Sequence, residues 1–187
     1  TAVLNSARTA LDWLISVQKP NGGWNYAYLP GGAAVTQEEA SSNIWSIWAL
    51  YRMWQYTGEQ KYLTAALRGK DWFVSTWLPR HMGRGYWEDA CAYGNVSLSW
   101  QVHEFAIATR VFAEMGDPAL AVECAKTAIT WVWTRTIDSR DYFTSYGHVH
   151  EQLSWPPATY LAPIFGLAAH TAYCITGDPF YAAFAGI

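Results

Sequence analysis

The chain has 187 residues, of which 51% are hydrophobic and only 14% are charged. This low charged share, against about 25% in an average soluble protein, excludes a disordered segment and a coiled coil. With 12 Lys and Arg against 15 Asp and Glu, the net charge of -3 excludes the basic surface that binds a phosphate backbone, so nucleic acid is not an expected partner. No apolar run reaches the roughly 20 residues of a membrane span.

The cysteine and aromatic contents bear on different questions. Cys91, Cys124 and Cys174 lie far apart with no paired spacing, so we expect neither a disulfide framework nor a zinc motif and interpret all three as small core residues. Aromatic residues make up 17% of the chain, which suits both a packed core and a surface that stacks on flat ligands. No cofactor or metal ion is predicted. The chain opens with Thr1 and carries no apolar leader, so we expect that any targeting peptide was removed or never present; the localisation stays open, with a secreted or periplasmic location slightly favoured.

A period of about 59 residues runs through the chain. Trp13, Trp72 and Trp131 end similar tetrapeptides and are spaced 59 residues apart. A second marker, a glycine followed by an acidic residue, recurs at positions 58, 116 and 177, twice with a proline after the acid. Glycine suits the left-handed residue that closes one helix, Asp caps the next helix and Pro fits its first turn. Each marker therefore predicts a tight turn between two helices.

Two kinds of helix alternate between these markers. Three predicted helices are amphipathic and are interpreted as outer helices, at 3–18, 60–78 and 118–137. Three others are apolar nearly all round and are interpreted as inner helices buried on every side, at 43–57, 99–115 and 159–176. This burial makes Trp45, Trp48 and Trp54 expected core residues.

An outer helix, a long loop and an inner helix in each repeat is the pattern of an α/α toroid. The predicted fold class is all-α, with a single α/α-repeat domain over residues 1–187 built from about three helical hairpins of ~59 residues. A closed ring of six hairpins at this period requires about twice the length, so three hairpins make half a ring. We expect the remainder to come from a longer chain or from a partner, such as a second copy in a homodimer.

The first repeat carries a distinctive element. Between positions 8 and 24 it reads RTALDWLISVQKPNGGW. This segment resembles the Gln-Trp repeat of squalene-hopene cyclases and related prenyltransferase-like toroids, and also a Trp, Gln and Gly-Gly-Trp element of α/α-toroid pectate lyases and glycan-processing enzymes. Gln18 is expected to satisfy free backbone groups at the end of the outer helix, and Trp24 to pack back over the next helix. The Asp-x-Asp-Asp acid motif of the cyclases is absent from the chain.

In α/α toroids the loops that lead into the inner helices cluster at one end of the ring and shape its cavity. Here these loops combine aromatic rings with charged and histidine side chains, a mixture that suits a sugar, because rings stack on its apolar faces while polar groups bind its hydroxyls. The predicted substrate-binding residues are Trp24, Tyr26, Arg84, Trp87, Arg140 and Tyr142. Three loop tryptophans are candidates to expose a ring for stacking: Trp24, Trp87 and Trp155.

The densest group of catalytic residue types lies at 146–151. The predicted catalytic residues are Glu88, Asp89, Tyr146, His148, His150 and Glu151. In a uronate lyase, a Tyr or His would take the proton alpha to the carboxylate while Arg84 or Arg140 neutralised that carboxylate. A glycoside hydrolase would instead use two carboxylates across the cavity, for which Glu88, Asp89 and Glu151 are candidates. Spacing in the sequence does not choose between these chemistries.

The preferred interpretation is a carbohydrate-active enzyme, a lyase or a glycoside hydrolase, whose partner is a polysaccharide or oligosaccharide. A terpene cyclase or prenyltransferase-like domain is the first alternative, because of the Gln-Trp element. A noncatalytic binding or scaffold module is the second.

Overall fold

A computed structural model describes residues 2–25, 27–28, 34–35, 40–81, 102–138 and 161–186. These residues are predominantly helical, which confirms the all-α prediction. Within those ranges, no helix is both long enough and apolar enough to pass through a membrane. The chain divides into two compact units, Thr1–Arg80 and His81–Ile187.

The described part of the first unit combines long helices with one two-residue strand pair. Its helices include α1 (Ala2–Ser16), α2 (Ala40–Thr57) and α3 (Gln60–Trp72). Strands β1 (Ala27–Tyr28) and β2 (Ala34–Val35) pair antiparallel, with Ala27 opposite Val35. The α2 helix packs along α3, and α1 contacts both. Most of the buried apolar side chains come from α2 and α3, among them Ile44, Ile47, Leu50, Met53, Tyr62, Ala65, Ala66 and Trp72.

The α3 helix continues past Trp72 through a widened turn. Residues Phe73–Trp77 form a π-helical turn, and α4 (Leu78–His81) follows directly. The Leu78 N–H donates to the Phe73 carbonyl five residues earlier, which is the bond that defines a π-helix. The rings of Trp72 and Trp77 stack with centroids 5.9 Å apart, and both are buried. The outer helix predicted at 60–78 is therefore present, but its final turns are not all α-helical.

The described part of the second unit consists of helices. These are α5 (Val102–Glu114), α6 (Pro118–Asp138), α7 (Leu161–Thr176) and α8 (Pro179–Ala185). The α5 helix packs on α6 and α7, and α8 packs on α7. A core cluster joins α6, α7 and α8 through Ala125, Ile129, Ala169, Ala172 and Tyr181. Every residue of α5 from 104 to 109 is buried, as expected for an inner helix.

The tight turns predicted between helices are present at all three markers. The glycines adopt the left-handed conformation, with φ of 73°, 77° and 70° at Gly58, Gly116 and Gly177. The carboxylates of Asp117 and Asp178 accept hydrogen bonds of 3.1 and 2.9 Å from backbone N–H groups in the first turn of the following helix. Glu59 makes no such side-chain cap; its own N–H donates to the hydroxyl of Thr57 instead.

Two of the predicted inner helices, α2 and α7, are not buried on every side. Trp45 is 48% exposed, and Trp48 and Trp54 are only partly buried. The expected core role is therefore wrong for Trp45. The buried and exposed residues of α2 lie on opposite sides of the helix, and Trp45 lies on the exposed side.

The cysteines also divide. Cys124 is buried in α6, as predicted, but Cys174 is exposed on α7, so its interpretation as a core residue is wrong. Cys91 lies outside the described residues. A cysteine side chain is small and apolar, so it fits on either side of a helix that also exposes other hydrophobic residues. The sequence pattern therefore did not distinguish the buried Cys124 from the exposed Cys174.

Candidate functional site

Most of the predicted site residues lie outside the described part of the chain. This holds for every predicted catalytic residue, Glu88, Asp89, Tyr146, His148, His150 and Glu151. It also holds for the substrate-binding residues Tyr26, Arg84, Trp87, Arg140 and Tyr142 and for the stacking candidate Trp155. Their roles and their mutual placement stay predictions. Trp24 is the predicted site residue that the described ranges include.

Trp24 is a packing residue. Its side chain is 1% exposed, and its indole N–H donates to the Leu14 carbonyl at 2.8 Å. The ring lies against Gly69 of α3 so closely that a methyl group there would come within 2.7 Å of its Cζ3 atom. No face of the ring is open to a ligand. The expected stacking role of Trp24 is therefore wrong, and the ring packs against α3, whereas the next helix along the chain is α2.

The turn after α1 is fastened to α3 by side chains. The Gln18 amide nitrogen donates to two carbonyls, those of Gly22 at 2.8 Å and Ala65 at 2.9 Å. The Arg68 guanidinium adds a hydrogen bond of 2.9 Å to the Lys19 carbonyl. Gln18 thus satisfies backbone groups beyond the end of the helix, as expected, and it does so on two elements at once.

The exposed side of α2 carries the most prominent aromatic surface of the described residues. Trp45, Trp48, Arg52 and Tyr56 follow one another at helical spacing, and we call this set the α2 stripe. Trp45 and Trp48 form a tilted pair with ring centroids 5.6 Å apart. Trp45 is 48% exposed and Tyr56 is 75% exposed. An aromatic pair held this way offers rigid apolar surface to a flat or ring-shaped ligand.

The charge on the α2 stripe is positive. Arg52 is the only charged residue among the 18 residues of α2. Its side chain is exposed, and its guanidinium donates to the Gln55 side-chain oxygen at 3.3 Å. Gln55 carries no charge, so this contact is a hydrogen bond and not an ion pair. The stripe therefore combines apolar rings with one cation.

A second polar cluster joins α1 to α3 and balances its own charge. Arg8 contacts Glu59 at 2.8 Å, and Lys61 contacts Asp12 at 2.6 Å and Glu59 at 3.5 Å. The hydrogen bond from Lys61 lowers the pKa of the Asp12 carboxyl, and the same bond raises the pKa of Lys61. Two cations beside two carboxylates leave no surplus charge to attract a substrate, so the cluster is a helix-to-helix contact.

The described residues offer no metal centre of three or more ligands. A group of three or more His, Cys, Asp and Glu side chains suited to holding an ion is not found in that part of the chain. The buried acid Glu104, in the first turn of α5, is 1% exposed and lies in the core of the second unit.

The apolar composition of α2 predicts Trp45 and Trp48 in the core and does not reveal the α2 stripe. Arg52 is the signal that could have found it. Arginine is almost never fully buried, so Arg52 marks the side of α2 that faces solvent. Residues three, four and seven positions before it lie on that same side, and they include Trp48 and Trp45.

No protein-family model matches the chain, and no curated protein sequence matches it at a significant level.

Proposed function

We propose that this chain is part of a carbohydrate-active protein that binds a polysaccharide or oligosaccharide and acts on it as a lyase or a glycoside hydrolase. The observation that carries the proposal is the Trp45–Trp48 pair on α2, whose ring centroids lie 5.6 Å apart and in which Trp45 is 48% exposed. A soluble domain gains nothing in stability from half of a tryptophan ring in water, whereas a sugar ring has apolar faces of matching size.

The α2 stripe favours an acidic sugar within that class. Arg52 is exposed and lies one turn after Trp48 on the same side of α2. A guanidinium recognises a carboxylate through two parallel hydrogen bonds, which a neutral sugar cannot accept in the same way. A uronate stacked on the tryptophan pair would place its carboxylate within reach of such a group.

The catalytic residues of the proposed enzyme are those predicted from the sequence. Proton abstraction from a uronate would then fall to Tyr146, His148 or His150, with Arg84 or Arg140 neutralising the carboxylate. Hydrolysis would instead draw on Glu88, Asp89 and Glu151 as the acid and its partner.

Binding is tested first, with a soluble polyuronate and a neutral glucan of similar length as ligands. We expect Trp45→Ala to weaken polyuronate binding about fivefold or more, because losing the stacked face removes about 1 kcal/mol of apolar burial. Trp13→Ala is the matched control, since Trp13 is also 48% exposed but lies on α1. Equal affinity of wild type and Trp45→Ala for every glycan that binds would remove the α2 stripe from the proposal.

Turnover is tested separately, with a polysaccharide panel read both by the ultraviolet absorbance of an unsaturated product and by new reducing ends. The first signal reports a lyase and the second alone reports a hydrolase. We expect His148→Ala combined with His150→Ala to abolish the lyase signal while leaving polyuronate binding intact. Binding without either signal would leave a noncatalytic glycan-binding module as the function.

A further inference from the structure

The exposed side of α7 carries a pair of soft ligand groups that the glycan proposal does not use. Pro163, Leu167, His170 and Cys174 follow one another along this helix at spacings of four, three and four residues, and all are exposed. Residues four apart on a helix lie one above the other, so the His170 and Cys174 side chains are neighbours. Cys174 is a free cysteine.

The separation of the two groups matches that of two ligands on one ion. The Cys174 sulfur lies 3.7 Å from Nε2 of His170 and 3.9 Å from Nδ1. Tetrahedral zinc has bonds of about 2.3 Å to sulfur and about 2.0 Å to imidazole nitrogen, which sets the two ligand atoms about 3.6 Å apart. The sulfur lies almost equally far from both ring nitrogens, so the imidazole must rotate to direct the lone pair of one nitrogen toward a shared ion.

We propose that His170 and Cys174 form a two-ligand surface site for a borderline cation of the zinc type. Imidazole and thiolate are the ligand pair that this class of ion prefers over hard oxygen ligands. As the bond from sulfur to the metal forms, the thiol releases one proton to solvent, and the neutral imidazole donates the lone pair of one ring nitrogen. Water fills the remaining coordination positions, so the ion exchanges readily.

Cys124 shows why exposure matters for this role. It is buried in the second unit, and burial raises the pKa of its thiol by disfavouring the thiolate. A metal needs the thiolate, and no ion can reach a sulfur enclosed by the α6 core. Of the two described cysteines, Cys174 is therefore the metal ligand, whether or not the protein binds a glycan.

The experiment uses cobalt(II) as a probe on the whole chain, because thiolate bound to cobalt gives a charge-transfer band in the near ultraviolet. Zinc(II) is then added to displace the cobalt and give the zinc affinity. We expect the wild-type chain to show the band and Cys174→Ser to lose it. His170→Ala is expected to weaken binding of both ions at least about tenfold, since even outer-shell partners of a metal contribute 10- to 100-fold.

The controls separate α7 from the other ligand-bearing segments. His148→Ala combined with His150→Ala is expected to retain the wild-type band and affinity. Helical circular dichroism should be unchanged in every variant, because His170 and Cys174 are exposed. Three results would each overturn the proposal: a band that persists in Cys174→Ser, an unchanged affinity in His170→Ala, or no band in the wild-type chain. The last result would leave only a thiol–imidazole contact.

Discussion

The side-chain amide of Asn43 pairs with the peptide groups of Trp24 through two hydrogen bonds. The Trp24 N–H donates to Oδ1 of Asn43 at 2.8 Å, and Nδ2 of Asn43 donates to the Trp24 carbonyl at 3.1 Å. Asn43 is fully buried in the first turns of α2, and 19 residues separate the partners. The two bonds have the same donor and acceptor pattern as a pair of residues in neighbouring strands. They hold the Trp24 backbone, in the segment after α1, against the first turns of α2.

Asn43→Ala is expected to destabilise the first unit by about 2–4 kcal/mol, because it leaves a buried N–H and a buried carbonyl of Trp24 without a partner. Urea unfolding followed by helical circular dichroism measures the loss. Asn5→Ala is the control, since Asn5 is exposed on α1 and its substitution is expected to change stability by less than about 0.5 kcal/mol. Equal stability of the two variants would contradict the assigned role of Asn43.

Gly22 and Gly58 form a second matched pair for substitution by alanine. Both have positive φ, 94° and 73°, but a methyl group at Gly22 would lie 2.2 Å from the Arg68 carbonyl oxygen, whereas nothing lies within 4 Å at Gly58. Gly58→Ala should therefore cost about 1 kcal/mol of backbone strain. Gly22→Ala should cost at least about 2 kcal/mol more, because α3 must move away. Thermal unfolding that ranks the two variants in the opposite order would exclude this close approach.

The contact between Asp12 and Lys61 makes stability depend on pH in a defined direction. The pKa of Asp12 is lowered on folding, so its contribution is complete above the unfolded pKa of about 4 and is lost as the pH falls through the folded value. The pKa of Lys61 is raised, so its contribution is complete below about 10 and is lost as the pH rises through the folded value.

We therefore expect Asp12→Asn to flatten the decline of the melting temperature between pH 5 and pH 2 at low salt. Because both side chains are largely exposed, the difference from wild type should be small and should shrink further in about 1 M NaCl. Asp71→Asn, at an exposed position of α3, serves as the control. A wild-type and an Asp12→Asn profile that coincide at low salt would show that the contact does not stabilise the folded state.

Features that depend on neighbouring residues could be predicted from the sequence. The turns at Gly116 and Gly177 follow from local chemistry, since the left-handed glycine, the capping Asp and the first-turn Pro are consecutive. Gln18 is a similar case, because its bond to the Gly22 carbonyl spans only four residues. Its second bond, to Ala65, lies 47 residues away and could not be read from spacing.

Burial within an apolar helix could not be predicted in the same way. Composition predicted α2 to be enclosed, but which side of a helix lacks a neighbour depends on the packing of the whole unit. For this reason both tryptophan predictions are wrong. Trp45, expected in the core, is exposed on α2, and Trp24, expected to be exposed in a loop, is buried. The predicted catalytic loops lie outside the described residues, so their assignment to a lyase or a hydrolase still depends on the turnover assay.

The π-helical turn after α3 determines how Trp72 and Trp77 can meet. In an α-helix, residues five apart point about 140° away from each other, so these rings could not stack on one side. The π-helical turn contains one residue more than an α-helical turn, so residues five apart lie on the same side of the helix and the two rings stack. Deleting one residue from Val74–Thr76 would leave the tryptophans four apart, about 40° from alignment on a regular helix. This segment can thus be shortened by one residue without separating the two rings, and the deletion rotates α4 relative to α3.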